Sequence, residues 1–176
     1  DAYEEPTIKR SRSHNYVSKE VINVRENVGV IEVANFSKHE FKGPESRKFL
    51  DHIMAGRLPK PGRISLSPML TYRGKLYGDL TVACLDENEF MVFGSGAAQE
   101  MHRRWFESHI DKYNTIYRNR SDDFHGLAIA GPKSRELLQK LCRENVSNDS
   151  LKFRDSRRMF VGGVPAIVNR KIGRAH

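Results

Sequence analysis

The chain has few cysteines, a single tryptophan and no long apolar run, and these shortages close off several classes of protein. Its two cysteines, Cys84 and Cys142, stand far apart with no ligand spacing around them. That pattern favours reduced thiols in a reducing compartment over a disulfide framework. The seven histidines form no zinc pattern: His102 and His109 lie seven apart on an expected helix, but no acidic or cysteine partner completes a site. Apolar stretches such as Phe90-Met91-Val92-Phe93 are soon broken by charge. A membrane helix needs roughly 20 apolar residues in a row, so no membrane partner is expected. Gly94-Ser95-Gly96-Ala97-Ala98 comes nearest to a dinucleotide-binding loop but lacks its third glycine. Flavin is therefore not expected on this chain. The start, Asp1-Ala2-Tyr3-Glu4-Glu5-Pro6, has neither an initiator methionine nor a signal pattern, and reads as the interior of a longer polypeptide.

What is present suits one globular domain. In 176 residues, 38% are hydrophobic and 30% charged, a balance that can build a core and does not resemble disorder. The formal charge is +8, with basic residues at Lys9-Arg10-Ser11-Arg12, Arg103-Arg104, Arg118, Arg120 and Arg154 to Arg158. A nucleic-acid footprint would gather them on one face among stacking aromatics. Here they are dispersed and interleaved with acids, as in Arg143-Glu144 and Arg154-Asp155. The reading is a solvated surface with some attraction for an anionic ligand, and no nucleic-acid partner.

Residues 1–16 are polar and aperiodic, the pattern of a linker or extended arm. Val17, Val21, Val24 and Val28 then mark one face of a helix. Strands are expected at Gly29 to Ala34 and His39 to Lys42, and Gly43-Pro44 opens a helix with Phe49, Leu50, Ile53 and Met54 as its stripe. Ile64 to Leu70, Leu76 to Leu85 and Phe90 to Phe93 read as an antiparallel meander. A helix over Ala97 to His109 should turn Ala98, Met101, Trp105 and Phe106 inward. Strands at Thr115 to Arg118 and His125 to Ala130, a helix from Pro132 to Cys142, and strands at Arg158 to Val161 and Val164 to Val168 complete the pattern.

One internal echo stands out. Gly43-Pro44-Glu45-Ser46-Arg47 and Gly131-Pro132-Lys133-Ser134-Arg135 each follow a strand and open a helix. Duplication or reuse of a good turn would each produce it. Two such units predict an α+β protein with helices packed on antiparallel sheets. Apolar alternation vanishes after Val168, and residues 171–176 can be encoded by AAG ATC GGA AGA GCA CAC, a frame of a common sequencing adapter. That tail is expected to be non-native.

The ordered set of motifs carries a resemblance. It runs through Val24-Arg25-Glu26-Asn27-Val28-Gly29-Val30-Ile31-Glu32-Val33, then Phe36-Ser37-Lys38-His39-Glu40-Phe41, then Met69-Leu70 with Gly74-Lys75-Leu76-Tyr77-Gly78-Asp79-Leu80-Thr81-Val82. Leu127-Ala128-Ile129-Ala130-Gly131-Pro132 with Val146-Ser147-Asn148 completes it. Over residues 17–170 the chain resembles the first part of the aminomethyltransferase family, typified by the T-protein of the glycine cleavage system. The variant it looks most like is the carboxyl half of dimethylglycine and sarcosine dehydrogenases.

The resemblance implies a truncated folate-binding fold and tetrahydrofolate as the bound coreactant. FAD would sit only in an upstream domain covalently linked to this one. There a methylated amine would be oxidised, and its iminium, or formaldehyde, would be captured here as 5,10-methylenetetrahydrofolate. Asp79 matches the family's catalytic carboxylate and also a folate contact, and aspartate is unusual inside a strand. The alternative for Asp79 is a bulge at Gly78-Asp79 with a solvated carboxylate. Phe36, Met69 and Tyr77 match folate-contacting positions, and Leu66 stands where the T-protein carries a tyrosine. The compartment implied is the cytoplasm of a bacterium or the mitochondrial matrix of a eukaryote. The alternative reading of this chain is a folate-binding relative of the T-protein acting in RNA modification or iron–sulfur assembly, or a regulatory relative that has lost catalysis.

Overall fold

Strand β4 (Leu76–Asp86) organises the molecule because it is buried on both faces from Leu80 to Cys84, so each face needs cover. It pairs antiparallel with β3 (Arg63–Leu70) and β5 (Glu89–Gly94), which makes the expected meander. Strand β2 (Ser37–Lys42) adds beyond β5, and β6 (Ile116–Asn119) closes the five-stranded order β3-β4-β5-β2-β6. One face carries Phe41, Leu80, Val82, Phe90 and Val92. It is covered by α2 (Ser46–Ile53) through Phe49 and Leu50 and by α3 (Gln99–Ile110) through Phe106. The other face carries Ile64, Ala83 and Met91, packed by Phe124 and Ile167. The mixture of antiparallel sheets and packed helices is the α+β class expected. The computed structural model describes residues 8–171.

The remaining elements reveal what the Gly-Pro echo does. Helix α1 (His14–Glu26) leads through Asn27 into β1 (Gly29–Glu32), and β2 then runs through Gly43-Pro44 into α2. Later, α3 leads through Asn114 into β6, and β7 (Leu127–Ala130) runs through Gly131-Pro132 into α4 (Ser134–Leu141). The two halves exchange strands: β1 pairs with β7, and β2 pairs with β6. Each Gly-Pro turn crosses the helix–strand connection of the other half. Glu45 N–H donates to Asn114 O at 3.2 Å, and Lys133 N–H donates to Asn27 O at 2.9 Å. In both turns the serine N–H returns to the glycine carbonyl at 3.1 Å. The echo thus marks equivalent positions in two interlocked units.

Both glycines are required by that crossing. Gly43 (φ 148°) and Gly131 (φ 112°) lie at positive φ, and an added Cβ would come within 2.7 Å of Asn114 O and 2.5 Å of Asn27 O respectively. Gly43→Ala and Gly131→Ala should each cost about 2 kcal/mol, combining backbone strain with the clash. Gly74 has φ 72° with nothing within 4 Å of its added Cβ, so Gly74→Ala should cost only about 1 kcal/mol. Denaturant midpoints of the three variants test this. Equal losses would show that crossing contact adds nothing to the strain.

Helix faces depart from the expected stripes. In α3 the fully buried side chains are His102 and Phe106, one turn apart, while Met101 is 40% exposed. A helix turns about 100° per residue, so burying 102 and 106 carries 101 toward solvent. Trp105 is only partly buried. Helix α1 begins at His14, inside the segment expected to be an arm, and buries none of its residues; Val17 and Val21 stay about half exposed. The hairpin β8–β9 (Ser156–Val161, Val164–Asn169) ends the described chain. Residues 172–176 of the expected non-native tail, like residues 1–7 of the expected arm, lie outside the described residues.

Candidate functional site

Strand geometry sorts the sequence-predicted site residues. Successive side chains on a strand point to opposite faces, and Leu80 is fully buried under α3, so Asp79 faces the other way. Asp79 is exposed and sits in regular register opposite Pro68. The expected alternative of a bulge at Gly78-Asp79 is not what forms. Register slips between Met69 and Leu70, where Met69 faces Gly78 and Leu70 faces Leu76, so Tyr77 is the extra residue. Pro68 costs this ladder nothing, because β3 is an edge strand.

Rows across the sheet define the surface around Asp79. Leu66, Thr81, Phe93 and Lys38 are consecutive cross-strand partners on its face. Continuing the same registers past the paired ends puts Pro68, Asp79, Ser95 and Phe36 in the next row. At the usual strand spacing, Asp79 and Phe36 are then roughly 10 Å apart. Phe36 is 45% exposed and Leu66 63% exposed. A carboxylate therefore stands on a face that also exposes apolar and aromatic side chains, Leu66 among them.

Met69 and Tyr77 are not brought to that surface. Met69 is fully buried in the core beneath α3, beside Gly78. The bulge turns Tyr77 to the same side, where its ring lies 4.5 Å from that of Trp105. Trp105 in turn lies 4.5 Å from His109, which is hydrogen-bonded to the Tyr72 hydroxyl at 2.6 Å. Tyr77 and Met69 thus pack behind the strand that carries Asp79.

Three polar side chains near the site were not among the site residues expected from sequence. Lys38 is 4% exposed on the Asp79 face. Burial lowers the pKa of its ammonium, against an opposing pull from Asp122. On the α3 face, His39 and His102 are buried with ring centroids 6.3 Å apart. Burial, and secondarily His102, push His39 down to about 4. His102 is lowered by burial, against a contribution from the Tyr77 backbone. It abuts the strand behind Asp79 so closely that a Cβ on Gly78 would lie 2.8 Å from its Nε2. Period-two alternation would have placed Lys38 with Phe36. Nothing local in the sequence marks either histidine as buried.

This fold, with an acidic strand position set in an apolar surface, is that of a known domain class. The GCVT N-terminal domain family matches residues 1–172, and the chain belongs to that family. It is 35% identical over 168 residues to the mitochondrial dimethylglycine dehydrogenase of Mus musculus, covering 94% of this chain and 19% of that protein. It is 28% identical over 156 residues to the aminomethyltransferase of Thermotoga sp. (strain RQ2), covering 88% of this chain and 42% of that one. The glycine cleavage system aminomethyltransferase T of Bartonella henselae shares the fold, with a TM-score of 0.68 at 19% identity over 80% of this chain and 38% of that one. The chain therefore spans about a fifth of the dimethylglycine dehydrogenase it matches.

Proposed function

We propose that this domain binds tetrahydrofolate and captures a one-carbon unit as 5,10-methylenetetrahydrofolate within a dimethylglycine or sarcosine dehydrogenase-like enzyme. The observation that carries this reading is the exposed Asp79 carboxylate in a surface flanked by Pro68, Leu66 and Phe36. Apolar and aromatic side chains there suit a flat heteroaromatic ring. Asp79 lies among them without a hydrogen-bond or ion-pair partner among the described residues, so its oxygens remain open to a ligand donor. FAD belongs to a linked domain outside this chain.

In the capture step a folate amine attacks the methylene carbon of the iminium. As the nitrogen takes positive charge, Asp79 accepts its proton. Asp79 would return that proton to the departing amine, sarcosine from dimethylglycine or glycine from sarcosine, and closure onto the second folate nitrogen would release one further proton, so that iminium and tetrahydrofolate give methylenetetrahydrofolate, the amine and one proton. With formaldehyde the same closure releases water. The direct test is titration of the full-length protein with tetrahydrofolate during demethylation of dimethylglycine and of sarcosine. Saturable binding should accompany replacement of free formaldehyde by methylenetetrahydrofolate. No binding, with formaldehyde yield unaltered, would refute the proposal.

A further inference from the structure

Lys38 is almost wholly buried on the Asp79 face, yet no carboxylate is hydrogen-bonded to its ammonium among the described residues. Instead Nζ donates to Ala34 O at 2.8 Å, to Phe36 O at 2.7 Å and to Ser121 O at 3.3 Å. An ammonium has three donors, and these three carbonyls use them all. Burying a charge this way is costly, and a turn can be closed more cheaply by neutral groups. What the charge holds is specific: the 34–36 turn between β1 and β2, from which the Phe36 ring projects.

Other contacts converge on the same turn. The Lys38 N–H donates to Ser121 Oγ at 3.0 Å, and Arg120 N–H donates to Lys38 O at 2.7 Å, so the 119–121 segment is tied to the residue that grips the turn. On its other side the turn is wedged against Gly96, where an added Cβ would lie 1.9 Å from Asn35 O. The backbone around Phe36 is thus clamped from both sides, while its side chain remains 45% exposed. A clamped backbone under an exposed aromatic ring suits a contact surface, because a ligand need not order the ring on binding.

We infer that Lys38 is a positioning residue for the folate site, its ammonium locking the Ala34 and Phe36 carbonyls so that the Phe36 ring stands at the end of the Asp79 row. This rests on the folate reading above. The test uses the full-length protein with Lys38→Met, which keeps the stem and removes the donors, and Lys38→Arg, which keeps charge and donors. Amide exchange read by mass spectrometry should accelerate over residues 33–37 and 119–123 in Lys38→Met, with α3 and β4 unchanged. Tetrahydrofolate affinity should fall about tenfold, the scale of one hydrogen-bonded charge, and Lys38→Arg should recover much of it. If Lys38→Met does not yield folded protein, Lys38→Gln, which retains two donors without the charge, carries the same comparison.

A double-mutant cycle with Phe36→Ala separates positioning from general support. Lys38→Met should weaken binding far less once the Phe36 ring is gone. An undiminished effect in the Phe36→Ala background would overturn the inference. So would unaltered exchange over residues 33–37, or faster exchange with unaltered folate affinity. If the unsubstituted protein bound no tetrahydrofolate, the folate reading would fall and the positioning role with it, an outcome distinct from the other three.

Discussion

Asp79→Asn should uncouple the full-length enzyme: amine oxidation continues, methylenetetrahydrofolate formation falls by about 10² to 10⁴ in rate, and free formaldehyde takes its place. Asparagine keeps the shape and one acceptor but removes the charge and the proton-accepting carboxylate. The prediction draws on placement as well as residue type. Asp79 is exposed, in regular register and opposite Pro68, so substitution removes no buried contact and should leave stability almost unchanged. Folate affinity should fall only modestly, since Leu66, Pro68 and Phe36 remain. Following amine oxidation, formaldehyde and methylenetetrahydrofolate in parallel distinguishes outcomes. An undiminished yield of methylenetetrahydrofolate would return Asp79 to the solvated-carboxylate reading.

Acidification should destabilise the fold well above the pH at which carboxylates titrate. His39 is fully buried between Phe106 and Tyr117, with ring centroids 5.0 Å and 5.9 Å away, and its Nδ1 is hydrogen-bonded to the Tyr117 hydroxyl at 2.9 Å. The groups of α3 that act on its charge are His102, which lowers the pKa further, and Glu100, which raises it. The folded protein keeps His39 neutral down to about 4, whereas the unfolded chain protonates near the ordinary 6.5. Between those values the unfolded state binds a proton that the folded state refuses, so stability is intact above 6.5 and declines as pH falls toward 4. A displacement of that size corresponds to about 3 kcal/mol. Burial lowers His102 in the same direction, so its protonation adds a loss of the same sign as the pH falls.

Two measurements test this. Chemical unfolding at stepped pH should give a flat stability above 7 and the stated loss by 4. Imidazole C2 hydrogen–deuterium exchange, read residue by residue in the mass spectrometer, should place the folded-state titration of His39 well below 6. A His39 titration near 6.5 in the folded protein would eliminate this cause of acid lability. His39→Gln should be less stable at pH 7, because the ring contacts are lost, yet show a shallower decline below 6.5.

The distinction between local and tertiary information is visible at individual residues. Strand β4 and its neighbours were legible because alternation and polar turn-like breaks are local properties, and the meander lies within a residue or two of where they put it. The Gly-Pro turns were legible for the same reason, as each opens its helix by backbone chemistry confined to a few residues. Family resemblance added Asp79, and alternation sufficed to put it opposite Leu80. Which halves would interlock was not legible, since periodicity marks a strand without naming its partner. β1 pairs with β7 across about a hundred residues of chain, and that choice rests on contacts such as Gly131 against Asn27.

Tertiary structure alone decided two further matters. The unpaired residue at Tyr77 turns that ring to the side of α3, away from the face of Asp79, whereas Met69 lies there by alternation from Pro68. A one-residue slip reverses the facing of a strand, and nothing in residue type announces it. Lys38, His39 and His102 carry no local mark of burial in the sequence, and all three are buried. Burial of a charge or an imidazole depends on acceptors and packing from distant segments: Ser121 for Lys38, Tyr117 for His39, and the strand at Gly78 for His102. Sequence by itself determined the elements, the class of domain and the acidic strand position, because these follow from local backbone preference and ordered motifs. The shared surface of Asp79 and Phe36, and the buried ammonium beside it, exist only where β2, β4 and the 119–121 segment meet, because each needs partners that no local pattern can specify.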